Sequence, residues 1–144
     1  VIVVDVNLLL YATFSTFAQH AAAFAWLEGV LNGDEQLLLP GASVFGFIRI
    51  ATNPRIFETP LRVEQALAVV DSWMAQPHVH FLAPGPRHLE IAFQLLRQLG
   101  AARNLTTDVQ LAAHAIENQA LLCSNDSDFA RFDGLRWLNP LTEP

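Results

Sequence analysis

VIVVDVNLLLYA, residues 1–12, sets four β-branched apolar residues directly against an aspartate. Val1 to Val4 read as a buried strand, and Asp5 stands at its carboxyl end. A carboxylate so placed needs a partner, and an arginine such as Arg49 is the plainest one. Working outward, FSTF breaks the pattern, helical spacing runs from Phe17 to Leu31, and Asn32-Gly33 supplies a stop. LLLP (37–40) reads as a second strand, 42–51 as a helix ended by Asn53-Pro54, and a helical stretch lies between Pro60 and Pro77. VHFLAP (79–84) is a third strand, followed by a helix from Pro86 to Leu99 that Gly100 terminates. Thr106-Thr107-Asp108 introduces a last helix, ALLCS (120–124) forms a fourth strand, and LRWL (135–138) a short fifth. Strands alternating with helices at this spacing predict an α/β fold with a parallel sheet covered on both faces.

The chain has 144 residues, which suits a single domain over 1–144 whose last few residues form a flexible tail. Apolar residues make up 52% and charged residues 15%, so few charges remain to cover the outside and a partnered apolar patch is expected. A net charge of −6 argues against nucleic-acid binding by bulk electrostatics. It leaves room for a metal-dependent nuclease, in which bound cations invert the sign of an acidic site. All eight basic residues are arginine. Cys123 is a lone thiol in an apolar run, which excludes an internal disulfide, favours a buried strand residue and points to the cytoplasm. Residues 6–27 carry no charge, yet Asn7, Thr13, Ser15, Thr16, Gln19 and His20 interrupt them, so no membrane span is expected.

In open parallel sheets, ligands bind beyond the carboxyl ends of the strands. Asp5 ends the first strand, Asp126 follows the fourth, and Asp108 opens a helix that starts near the same rim. Three acids from distant segments therefore meet if strands one and four are neighbours. Clustered carboxylates repel each other, and a cation removes that penalty. Oxygen donors suit Mg²⁺ or Mn²⁺, whose chemistry serves phosphodiester hydrolysis. The plainer reading makes Asp108 and either Asp126 or Asp128 simple helix caps.

VIVVDVNLLLYA, GFIRIATNPRIF and TTDVQLAAHAIENQALLCSNDSDFARF, in that order, resemble the PIN-domain ribonucleases of VapC type, the toxins of toxin–antitoxin pairs. The resemblance covers nearly the whole chain. It implies a three-layer α/β/α sandwich of four or five parallel strands in the order 3-2-1-4-5. It further implies Mg²⁺ or Mn²⁺ as cofactor and cleavage of single-stranded or structured RNA (tRNA, rRNA or mRNA) by activated water. Carried over by position, the family's acids fall on Asp5, Asp108 and Asp126, as metal ligands and catalytic residues. Asp128 is an additional acid, with Asn7, Ser124, Asn125 and Arg49 as auxiliaries. The resemblance also implies a VapB-type antitoxin laid across an apolar groove near the first helices, and a homodimer.

One departure stands out. The family's glutamate on the second of the helices read above falls on Gly46, which removes a carboxylate and predicts weaker metal binding or a preference for Mn²⁺. The alternative it raises is a degenerate PIN domain that binds RNA or protein without cutting. Arg49, one turn on, serves either as a phosphate clamp or as the ion-pair partner of Asp5 or Asp126. His78 and His80 form an H-x-H pair without a third ligand, and His20, His88 and His114 show no partner. Lysine-dependent sites, such as receiver domains and haloacid-dehalogenase-type phosphatases, are excluded by the absence of lysine. Dinucleotide binding lacks its glycine fingerprint.

Overall fold

The computed structural model describes residues 1–142. The tail expected at the terminus falls partly on 143–144, outside the described residues. Five parallel strands, β1 (Ile2–Val4), β2 (Leu37–Pro40), β3 (Val79–Leu82), β4 (Leu121–Cys123) and β5 (Trp137–Leu138), form one sheet in the order β3-β2-β1-β4-β5. The strand order implied by the resemblance is the observed one. Among the described residues six α-helices connect β1 to β4: α1 (Val6–Thr13), α2 (His20–Asn32), α3 (Gly41–Ala51), α4 (Val63–Met74), α5 (His88–Leu99) and α6 (Thr106–Glu117).

The helices divide between the two faces because alternate residues of β1 point opposite ways. Val4 joins a core with Leu8, Leu9, Leu27, Phe47 and Trp73 from α1 to α4. Val3 joins the other with Leu95, Val109, Ala112, Ala113 and Leu122 from the α5–α6 side. Each fully buried Leu or Phe contributes about 1.5–3 kcal/mol relative to exposure. The alanines of α6 leave it little side-chain bulk on the face that meets the sheet.

Helix α1 is the element that periodicity did not delineate. Leu8, Leu9, Leu10 and Ala12 are all buried, so the segment shows no single apolar stripe. Its start is encoded instead by Asp5, whose carboxylate accepts the Val6 backbone N–H at 2.7 Å in N-cap geometry. Three of the other helices begin two or three residues later than the sequence suggests, Val63 rather than Pro60, His88 rather than Pro86 and His20 rather than Phe17, whereas α3 begins one residue earlier, at Gly41, and α6 at Thr106 as read.

Candidate metal centre

Register brings the distant acids to one place. Parallel pairing of Val4 with Cys123 makes the next residues, Asp5 and Ser124, neighbours at the carboxyl ends of β1 and β4. The Ser124 hydroxyl donates to Asp5 Oδ2 at 2.7 Å, and it accepts the Asp126 backbone N–H at 3.0 Å. One buried hydroxyl thus ties the end of β1 to the loop that carries Asp126. From the other core, Ser43 on α3 donates to the Val4 carbonyl at 2.6 Å and holds the strand end from below.

Asp126 has two roles at once. Its Oδ1 accepts the Asp128 N–H at 2.9 Å and caps a 3₁₀ turn, Ser127–Arg131, which buried Phe129 anchors to the core. The same carboxyl lies within a group formed with Asp108 and Asp128, whose oxygens come within 4.8 Å of one another. Asp108 is in the first turn of α6 but is not its cap; Leu105 occupies that position with no side-chain bond. The simple-cap reading therefore fails for Asp108 and is incomplete for Asp126.

Asp5 lies outside that tight group, set back against Ser124, and is 7% exposed. Burial raises its pKa, with Asp126 adding repulsion, while the Ser124 hydroxyl and the Val6 N–H oppose the rise. Asp108 is pushed up to about 6 by burial first, then by Asp5, Asp126 and Asp128, with only Arg131 counteracting. Arg131 itself pairs with Asp128 at 3.2 Å. Among the described residues, Arg131 is the one guanidinium that pairs with an acid of this cluster, and all the donors the four carboxylates offer are oxygen. Such a set matches a hard divalent cation and mismatches a soft one.

The remaining expected residues are placed as follows. Asn7 presents its Oδ1 to the Asn125 N–H at 3.5 Å and donates from Nδ2 to Ser124 at 3.3 Å, so both ends of its amide are engaged within the cluster. A Cβ at Gly46 would meet Val6 Cγ2 at an ordinary 3.5 Å. The position aligned with the family glutamate is thus next to the acid-bearing strand end, and it is open to a side chain. Arg49 is exposed and makes no ion pair among the described residues, which removes the reading in which it neutralises Asp5 or Asp126. His78 bonds the Val30 carbonyl and His80 is exposed, so H-x-H gathers no ligand set. Cys123 is buried, and burial pushes its thiol up to about 12, as befits an inert core residue.

One pair escaped the sequence. His88 and His114 lie with ring centroids 4.3 Å apart where the start of α5 meets the end of α6, and the buried Nδ1 atom of each has no hydrogen-bond partner. Their separation of 26 residues carries no periodic signal; only the antiparallel packing of two consecutive helices joins them.

With this geometry in place, the comparisons with known proteins agree. A family model, the PIN domain, matches residues 2–135. The chain belongs to the PIN-domain family, among its VapC-type members. It is 50% identical over 142 residues to ribonuclease VapC33 of Mycobacterium tuberculosis (strain H37Rv), covering 99% of each chain. Ribonuclease VapC37 of the same organism is 38% identical over 138 residues, covering 96% of each. Among solved structures, VapBC2 from Rickettsia felis, bound to a DNA fragment from its promoter, superimposes with a TM-score of 0.70 at 17% identity, covering 96% of this chain and 97% of that one. At that identity the superposition speaks for the fold alone. The relatives' names support a nuclease activity for this PIN domain.

Proposed function

We propose that the protein is a metal-dependent endoribonuclease, the toxin of a toxin–antitoxin pair, with Asp5, Asp108 and Asp126 holding Mg²⁺ or Mn²⁺ and Asp128 assisting. The observation that carries the reading is the meeting of these acids at one sheet rim without matching cations. The donor set fits the ion: every ligand atom is a carboxylate oxygen, and the raised pKa of Asp108 marks negative charge that a cation would neutralise. When bound, a divalent ion supplies Lewis acidity that acidifies an attacking water and offsets charge on the phosphate.

The protein's own residues do the positioning. Ser124 and the Val6 N–H each hold one oxygen of Asp5, which fixes the carboxylate plane. The Asp126 carboxylate is held by the N–H of Asp128. Exposed Arg49, free of ion pairs among the described residues, is the candidate clamp for an RNA phosphate. In the reaction, water oxygen bonds to phosphorus, the ester P–O bond breaks, and the leaving oxygen takes a proton. No protein nucleophile is needed.

Two apolar surfaces suit the partners. A groove of about 280 Å³ between α2 and α4, lined by Phe24, Leu27, Leu31, Val69 and Trp73, is the seat assigned to a segment of a VapB-type antitoxin. Phe45, Phe81, Leu89 and Phe93 are exposed on α3, β3 and α5, and are assigned to a homodimer contact. The site of action follows as the cytoplasm, where RNA and antitoxin meet. No helix among the described residues is long and apolar enough to cross a membrane.

Gly46 favours a second reading, an RNA- or protein-binding PIN domain that does not cut. Incubating antitoxin-free protein with tRNA, rRNA or mRNA and Mn²⁺ separates the two. The nuclease reading expects cleavage that Asp5→Asn lowers by roughly 10³-fold. Absence of cleavage with Mg²⁺ or Mn²⁺ on every RNA supports the binder.

A further inference from the structure

The polar groups behind Asp5 form two directed runs of hydrogen bonds, joined through the residue Asn125, that begin beyond the last strand. The Leu141 backbone N–H donates to Asn139 Oδ1 at 3.1 Å. A backbone N–H can only donate, so this contact fixes which end of the Asn139 amide is oxygen. Asn139 Nδ2 therefore faces Asn125 Oδ1, at 3.1 Å. The Asn125 N–H in turn faces Asn7 Oδ1, at 3.5 Å, the longest link. That leaves Asn7 Nδ2 to donate to Ser124 Oγ at 3.3 Å.

A hydroxyl has one proton and two acceptor positions. Asn7 Nδ2 and the Asp126 N–H occupy both acceptor positions of Ser124. Its proton then has one destination, Asp5 Oδ2 at 2.7 Å. Every link points the same way, and the series ends on a carboxylate that must be an acceptor. The Asn7 amide and the Ser124 hydroxyl form a continuous series ending on Asp5, in which hydrogen bonds polarise one another, and Ser124 is fully buried. At Asn125 the accepting side chain and the donating backbone N–H are separate groups, so Asn139 acts there by holding position. Strand β5 reinforces the arrangement, because Trp137 Nε1 donates to the Ser124 carbonyl at 3.1 Å.

We propose that Asn139 is a positioning residue for Asp5, acting through Asn125, Asn7 and Ser124 to hold that carboxylate in its ligand orientation. The proposal rests on the reading of the rim as a metal centre. It assigns a role to the segment after β5, which touches none of the acids.

The test is a calorimetric titration of Mn²⁺ into the folded protein, with melting temperature measured separately in chelator. Asn139→Leu removes the donor and keeps the size. Asn125→Ala removes the acceptor of the same Asn139–Asn125 link, keeps the backbone N–H that faces Asn7, and leaves the Asn139–Leu141 contact intact. The expected result is a dissociation constant for Mn²⁺ raised about 10-fold in both variants. The chelator melting temperature of Asn125→Ala should stay within a few degrees of native. If Asn139→Leu does not fold, Asn125→Ala alone decides. Native affinity in the folded variants overturns the proposal, since a merely structural role lowers the melting temperature and spares metal binding. Asp5→Asn, run alongside, separates the two failures. Loss of binding there, with no change in the asparagine variants, sinks the relay and leaves the metal centre standing. No Mn²⁺ binding by native protein overturns both.

Discussion

The two ends of α6 each bury a titratable group, and they resolve the cost in opposite ways. At the start, Asp108 faces three further acids, and its pKa is pushed up to about 6. At the end, His114 lies against His88, and its pKa is lowered to about 4 by burial first and then by His88, with Glu117 opposing. A histidine relieves the cost of burying charge by losing its proton, and what remains at neutral pH is the smaller cost of an unpartnered ring nitrogen. Asp108 near neutrality is still mostly ionised, so its burden persists until a proton or a cation arrives. Charge that persists without a structural partner is the mark of a working site, whereas charge given up is the mark of a packing solution.

The sharpest way to break this comparison is to remove the persistent charge. Asp108→Asn should abolish cleavage and yet make the metal-free protein more stable at pH 7, by about 1–2 kcal/mol. Ionised Asp108 is penalised in the fold, so the gain is complete above about 6 and disappears as pH falls toward 3.8, the ordinary value. Denaturant unfolding in chelator at several pH values measures it. A destabilised Asp108→Asn would show that the acid is structural.

The opposite end yields a stability effect of similar size and opposite sign, with no effect on cleavage. Folded His114 titrates near 4 and an unfolded imidazole near 6.5, so between those values the unfolded chain binds the extra proton. Stability from this group is therefore complete above about 6.5 and falls as the solution is acidified toward 4. Relative to His114→Gln, the native protein should lose on the order of 1–2 kcal/mol across that window. Because the Asp108 contribution runs the other way over much of the same range, the two offset each other in the native curve. Only the difference between native and variant unfolding at each pH isolates the histidine.

The contrast also explains what could be read from the sequence. The alternation of apolar strands and helices was legible because burial on both faces leaves continuous runs such as VIVV and LLLP. The acids were legible because strand ends in a parallel sheet share one rim, which puts Asp5 and Asp126 on the same edge, and the strand order implied by the resemblance makes them neighbours there. Gly46 was legible as an absence, by its position three residues before Arg49. The pairing of Asp128 with Arg131 and the grouping of Asp128 with Asp108 and Asp126 depend on a 3₁₀ turn whose geometry no spacing announces. The His88–His114 contact depends on helix register. So does the reach of Glu117 from the end of α6 to the Gly85 and Arg87 N–H groups, at 3.0 and 2.8 Å, which caps α5 from outside. A Cβ at Gly85 would run into that carboxylate and displace the Glu117 side chain from its two N–H partners, a close approach that only the folded chain reveals.

The most direct test of the central claim is diffraction from crystals soaked in Mn²⁺, recorded at a wavelength where manganese scatters anomalously. The account predicts a peak among the carboxylates of Asp5, Asp108 and Asp126, lost in Asp108→Asn crystals. A fully soaked crystal with no peak at that rim, or with the ion held elsewhere, would contradict it.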